Sequence, residues 1–281
     1  QTEAPLCIKP YLDNMSRAGL MTLMVGGFAT IAGSVLAGYV NFLVPSGDEV
    51  QRAMWIRHLL TASVMSAPAA FVMARVLVPE TSGEVDTGAV NMVQSKPAAN
   101  LLDAAATGAT DGLHLSLNVA AMLIAFVALL ALVNWPIQSF GDWEPVSNAL
   151  AIVGIESLDL QTILGRLFSP LAWCMGVSWA DADFVGRLMG EKIIVTEFLA
   201  YVTLADAVND PSGSPISERS AAIAAFALCG FANFGSVGIQ IGGLSAIAPS
   251  RRPQFVSLAF RAMIGGAFAS WMTASIAGVF L

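Results

Sequence analysis

The sequence predicts an all-α polytopic membrane protein built on inverted repeats, each a re-entrant hairpin followed by a broken transmembrane helix. Three observations predict it. The 281 residues are 56% hydrophobic and 12% charged, where a soluble domain carries about 25% charge. Runs of about 20 apolar residues, the length that crosses roughly 30 Å of hydrocarbon, recur at Leu20 to Val44, His58 to Val78, Leu113 to Trp135, Ala221 to Ala248 and Phe255 to Leu281. A phrase is also said twice inside apolar sequence, as Gly27-Phe28-Ala29-Thr30-Ile31-Ala32-Gly33-Ser34-Val35 and as Gly230-Phe231-Ala232-Asn233-Phe234-Gly235-Ser236-Val237. A Thr-Glu pair precedes each copy, at Thr2-Glu3 and Thr196-Glu197. What repeats is therefore a unit of structure. The sequence has no alternating ten-residue pattern of the kind that builds a membrane barrel.

Residues 1 to 79 form the first unit. Residues 4 to 12 are too short to span and read as the second arm of a hairpin. Ser16 is placed to cap the next helix, which breaks at the first Gly-rich phrase, resumes to about Phe42 and ends at Pro45-Ser46-Gly47-Asp48. A spanning helix follows over Met54 to Val78. Residues 80 to 112 read as a polar linker, to Pro97, and a small amphipathic interfacial helix. Residues 113 to 136 form an unbroken, nearly uncharged span of structural type, and 137 to 179 an acidic loop and a second interfacial segment.

The second unit occupies 180 to 281. Its charges, among them Asp181, Asp183, Arg187, Glu191, Lys192, Glu197 and Asp206, are too many for a lipid-facing helix, and suit a hairpin buried in protein with its tip near Val195 to Phe198. Ser217-Glu218-Arg219 opens the second broken helix, and Phe255 to Leu281 closes the chain. By the repeat, the counterpart of 180 to 195 would lie upstream of Gln1. Arg251, Arg252 and Arg261 cluster without acids, which favours a cytoplasmic position. The expected location is the cell (inner or plasma) membrane, with several passes.

Net charge is −7 with a pI near 4.7, and no basic arm or stripe points to nucleic acid. Cys7, Cys174 and Cys229 lack metal-ligand spacing and read as packing residues. His58 and His114, at the starts of apolar runs, read as interfacial or capping residues. No Ser-His-Asp order, ligand cluster or phosphate loop supports an enzyme.

A carboxylate at membrane depth costs at least several kcal/mol unless it is paired, protonated or wetted, and so marks a functional site. Glu3 and Glu197 both stand at hairpin tips. Their blander reading is that each acid caps a helix N-terminus, worth roughly 0.3 to 1 kcal/mol. A helix broken within the membrane frees backbone groups that protein or ligand must satisfy, and Gly26, Gly27 and Gly33 permit the first break as Gly230 and Gly235 permit the second. Gly242, Gly243, Gly265 and Gly266 read instead as packing glycines. Asn233 and Ser236 share a helix face. With Gln1, Thr2, Glu3 and Glu197 they offer carboxylates, amides and hydroxyls without a nearby cation, a set suited to a neutral polyhydroxylated solute. Paired, interrupted hydrophobic segments point to such a site in secondary transporters.

The stretches Gln1 to Leu6, Gly27 to Gly38, Thr196 to Tyr201 and Ala227 to Ser236, in that order, resemble the concentrative nucleoside transporter family, whose C-terminal portion the whole chain matches. The resemblance implies symport of a uridine-like nucleoside with sodium or protons by alternating access, in a homotrimer within the lipid bilayer. It implies that Gln1, Thr2 and Glu3 recognise the nucleobase beside Val35, and that Glu197, Asn233 and Ser236 bind the ribose. In sodium-coupled members the ion would lie between the first hairpin tip and the first broken helix, where Thr30 and Ile31 contribute. The chain departs from the family in having Thr196 where Asn is usual. The alternative from a different class is a non-transporting gate, receptor or assembly module built on the same repeats.

Overall fold

A computed structural model describes residues 4–45, 47–81, 100–152, 155, 157–211, 213 and 215–281. Among them the regular structure is helical. After a 3₁₀ turn over Ala4–Ile8 and the short α1 (Lys9–Leu12), α2 (Arg17–Ala29) starts at Ser16, whose Oγ accepts the Gly19 amide at 3.0 Å. The backbone is extended at Thr30 and Ala32 and re-enters a helix as α3 (Gly33–Leu43). Asp48 then caps α4 (Glu49–Leu77) by accepting the Val50 and Gln51 amides. Side-chain acceptors at these positions satisfy amides that a helix start leaves without partners.

The second unit repeats the plan. The hairpin is α8 (Trp179–Ile194) and α9 (Glu197–Val208), the broken helix is α10 (Glu218–Leu228) and α11 (Phe234–Ile247), and α12 (Arg252–Phe280) closes the unit. Ser217 caps α10 as Ser16 caps α2. The helices that follow the breaks, α4 and α12, are each 29 residues long, as corresponding members of a repeat should be.

The two units cross. Helix α3 of the first packs along α9 of the second, and α11 touches the Ala4–Ile8 turn. The breaks themselves meet at Gly230, whose φ is +121° and whose Cβ, if it had one, would lie 2.8 Å from the carbonyl oxygens of both Phe28 and Ala29. That approach requires glycine twice over, for the left-handed backbone and for the contact. At Gly26 and Gly33 the first break makes no such demand. Gly26 and Gly33 have no positive φ, and a Cβ on either would meet nothing within 4 Å among the described residues. Extended residues at Thr30 to Ala32 make that break, where the sequence pointed to glycine.

Lipid offers helices no hydrophobic gain from associating, so small residues that allow close packing hold such bundles together. A Cβ on Gly266 would fall 2.4 Å from Phe28 Cβ, and one on Gly265 2.9 Å from Leu77 Cδ1, so α12 seats against α2 and α4 through its glycines as the sequence suggested. Among the described residues four stretches are long and apolar enough to cross a bilayer: Arg17–Leu43, Glu49–Leu77, Ile124–Gly141 and Pro249–Phe280. The run Ala221 to Ala248 is divided by its break into α10 and α11.

Between the units the helix boundaries differ from the sequence reading. The interfacial helix expected up to residue 112 and the span expected over 113 to 136 are one helix, α5 (Leu101–Gly141), capped by Asn100. Gly108 and Gly112 lower helix propensity without ending the helix, and Pro136 removes one backbone bond while the helix runs on to Gly141. Most of the expected polar linker, residues 82–99, lies outside the described residues. After α6 (Glu144–Ile152), α7 (Leu160–Cys174) is packed on α8 instead of lying free at an interface. A Cβ on Gly186 would sit 2.5 Å from Gly165 O, and one on Gly190 2.7 Å from Gln161 O, so the two backbones run antiparallel in contact.

Candidate functional site

Hairpin α8–α9 turns at Val195, and Thr196 Oγ1 accepts the Leu199 amide at 3.3 Å. Thr196 thus supplies the helix cap that an Asn would supply at this tip. The next residue, Glu197, is only 5% exposed. Its Oε2 accepts from Asn233 Nδ2 at 2.8 Å, and its Oε1 accepts from the Tyr39 hydroxyl at 3.2 Å. Asn233 uses its other end as well, because its Oδ1 accepts the Ser236 amide at 2.7 Å and caps α11. The expected trio of Glu197, Asn233 and Ser236 is brought together, all three buried. The carboxylate faces the N-terminal end of α11, where the helix dipole favours negative charge.

The opposite lip of the same break carries the opposite charge. Helix α10 ends by exposing carbonyls, and three side chains take them: the Tyr201 hydroxyl bonds Ala225 O at 2.6 Å, Lys192 Nζ bonds Ala227 O at 2.9 Å and Ser270 Oγ bonds Cys229 O at 2.6 Å. Lys192 is fully buried and also reaches Ser270 Oγ at 3.3 Å. An ammonium therefore stands at the negative end of α10 and a carboxylate at the positive end of α11. One hairpin, with Lys192 before its tip and Glu197 after it, delivers both.

Among the described residues the first break is less occupied by protein. Thr30 Oγ1 folds back to Gly26 O at 2.9 Å, Ala32 gives α3 no side-chain cap, and Ala32, Gly33 and Ser34 are exposed. Among the described residues no side-chain cap meets the amides at the start of α3, which leaves them for a ligand or further chain to satisfy. Thr30 and Ile31, expected beside a cation, flank this opening, and Val35 is half-buried one turn into α3. Gln240 of α11 ties the two units together by donating from Nε2 to Met24 O at 2.9 Å. Gln1, Thr2 and Glu3 lie outside the described residues.

Sequence reasoning missed Tyr39 and Tyr201 and gave Lys192 no role beyond its charge. Tyr39 follows Val35 by one helical turn, so it shares a face with a residue already singled out. Lys192 stands five residues before Glu197, on the other arm of the same hairpin. Those spacings were visible signals.

Residues 58–278 match the family model described as "Na+ dependent nucleoside transporter C-terminus". The chain is 43% identical, over its whole length and 63% of the relative's, to an uncharacterized transporter of Haemophilus influenzae. It is 42% identical over 99% of its length to mouse solute carrier family 28 member 3, of which it covers 38%, and 38% identical to nucleoside permease NupC of Helicobacter pylori, of which it covers 62%. Among solved structures, a variant of CNTnw in an outward-facing state superposes with a TM-score of 0.81 at 40% identity, with 99% of this chain and 62% of that one aligned. CNTnw in an inward-facing, substrate-bound state gives 0.74 at 41% identity, with 99% and 61% aligned. The chain thus spans less than two thirds of the length of these relatives.

Proposed function

The chain belongs to the Na+-dependent nucleoside transporter family, and from that membership we propose that it carries nucleosides across the cell membrane by symport with sodium. The observation that carries the proposal is the buried Glu197–Asn233–Ser236 cluster at the start of α11. Without substrate, Glu197 satisfies its oxygens on Tyr39 and Asn233. Each of these oxygens has a second lone pair, and with those the carboxylate accepts from both hydroxyls of a ribose vicinal diol. In this reading Glu197, Asn233 and Ser236 hold the sugar. Gln1, Thr2 and Glu3, with Val35, hold the base of a uridine-like nucleoside.

Sodium belongs at the first break, with the Thr30 and Ile31 carbonyls contributing, because the second break's carbonyls are already taken by Lys192, Tyr201 and Ser270. Alternating access finds support in solved relatives that adopt an outward-facing and an inward-facing state. Helix α5, exposed along most of its length and packed chiefly on α11, is the scaffold helix against which the two units move, in a homotrimer.

The test is uptake of radiolabelled uridine by the full-length protein in proteoliposomes, under an inward sodium gradient, a proton gradient or neither. Saturable uptake driven by sodium is expected. Glu197→Ala removes an acceptor for charge-assisted hydrogen bonds, each worth about 1.5 to 3 kcal/mol, and uptake should fall by about 100-fold. Uptake driven by protons alone would reassign the coupling ion. Uptake indifferent to Glu197→Ala would remove Glu197 from the site, and no uptake under any gradient would favour a non-transporting module.

A further inference from the structure

Helix α3 begins at the first break and ends against the second hairpin. At its start Ala32 provides no side-chain cap, and residues 32 to 34 are exposed among the described residues, so the position of this end depends on what occupies the break. Its far end is clamped. The Tyr39 ring stacks on Tyr201 of α9 at 4.0 Å and 17°, Phe42 meets Phe198 edge-on at 5.3 Å, and Asn209 Nδ2 donates to the carbonyls of Phe42 and Leu43 at 3.3 and 3.4 Å. Helices α3 and α9 are therefore joined at this end. Across this seam runs a buried polar bond from the Tyr39 hydroxyl, 0% exposed, to Glu197 Oε1.

We propose that Tyr39 is a positioning residue that links the two sites: its hydroxyl transmits cation occupancy at the first break to the orientation of the Glu197 carboxylate. The inference rests on the proposed function and adds to it the route of coupling. A cation held by the carbonyls between α2 and α3 fixes the angle of α3, and Tyr39 then holds Glu197 in the rotamer that accepts a vicinal diol. Because binding linkage is reciprocal, a nucleoside on Glu197 tightens the cation site by the same factor. The chain separation of 158 residues between the partners is what a link between repeats requires, since a bond within one hairpin could report nothing about the other unit.

A buried tyrosine that merely satisfies its hydroxyl would make the same contact, so the test must read coupling. Uridine affinity of the full-length purified protein is measured in sodium and in choline, for the wild type, Tyr39→Phe and Phe42→Leu. Tyr39→Phe keeps the ring and its stack on Tyr201. It should bind uridine in both media, while the factor by which sodium tightens binding falls by about tenfold, as expected for losing a hydrogen bond to a charged group. Phe42→Leu loosens the same seam without touching the hydroxyl and should keep the wild-type factor. A Tyr39→Phe protein whose sodium factor stays within about twofold of the wild type overturns the inference, and so does an equal loss in Phe42→Leu, which would assign coupling to packing. Wild-type protein that binds no uridine in either medium defeats the proposed function itself, an outcome distinct from both.

Discussion

At the scale of the residue, Gly230 has the least freedom to change. Any Cβ there meets two carbonyl oxygens at 2.8 Å in a backbone with φ +121°, and neither oxygen belongs to a side chain that could swing aside. A left-handed conformation costs a non-glycine residue about 1 to 3 kcal/mol, to which the clash adds. Gly230→Ala should therefore lower stability by roughly 3 kcal/mol or more, read as a clear drop in melting temperature in detergent. Gly33→Ala, at an ordinary φ with no atom of the described residues within 4 Å of its Cβ, should stay within about 0.5 kcal/mol of the wild type. Equal losses in the two variants would mean that the breaks do not meet as described. The contrast separates two glycines that read alike in the repeated phrase: each stands in a helix break, but only Gly230 faces another backbone.

At the scale of the element, the second hairpin is anchored through the start of α8. Asp181 Oδ2 accepts from the Ser217 hydroxyl at 2.8 Å, which ties α8 to the cap of α10. Burial pushes the Asp181 carboxyl up, but hydrogen bonds from the Ser220, Ser178 and Ser217 hydroxyls and the Ser217 amide outweigh it and leave the group below its ordinary value. A carboxyl depressed in the folded state contributes stability that is present above its unfolded value, about 3.9, and is lost as pH falls through the lower folded value. Wild type should thus melt above Asp181→Asn at neutral pH, and the gap should close only below about pH 4. A gap independent of pH would assign the anchor to packing. Caps of this kind were legible in the sequence, because Ser16 and Ser217 act on amides three residues away. Glu197 and Asn233 were legible too, as polar residues set in apolar runs. The bonds that complete the site were not: Tyr39 and Lys192 find partners 158 and 35 residues distant, and no local pattern encodes such a separation. Helix α5 was misread as two pieces because two glycines and a proline resemble boundaries unless the caps are missing, and the single cap at Asn100 serves the whole helix.

At the scale of the whole molecule, α5 stands apart from the crossed repeats and meets them chiefly through α11, with α6 and the start of α7 at its end. The seam with α11 has a notch: a Cβ on Gly238 would lie 2.5 Å from the Phe126 ring. The notch sits two residues beyond Ser236, so the helix that carries Asn233 and Ser236 also bears the face that meets α5. If the repeats travel relative to α5 during transport, bulk at Gly238 should hinder the movement while leaving the Glu197 face of α11 intact. Gly238→Leu is expected to bind uridine within about threefold of the wild type and to lose uptake by about tenfold or more, since overpacking a tight contact costs about 1 to 3 kcal/mol. Phe126→Ala in the same protein removes the opposing ring and should restore much of the uptake. Retained uridine binding in Gly238→Leu is the decisive readout, because a general folding defect from leucine would lower binding and uptake together. Uptake that is unaffected by Gly238→Leu would place the moving boundary elsewhere and would make α5 part of the travelling body.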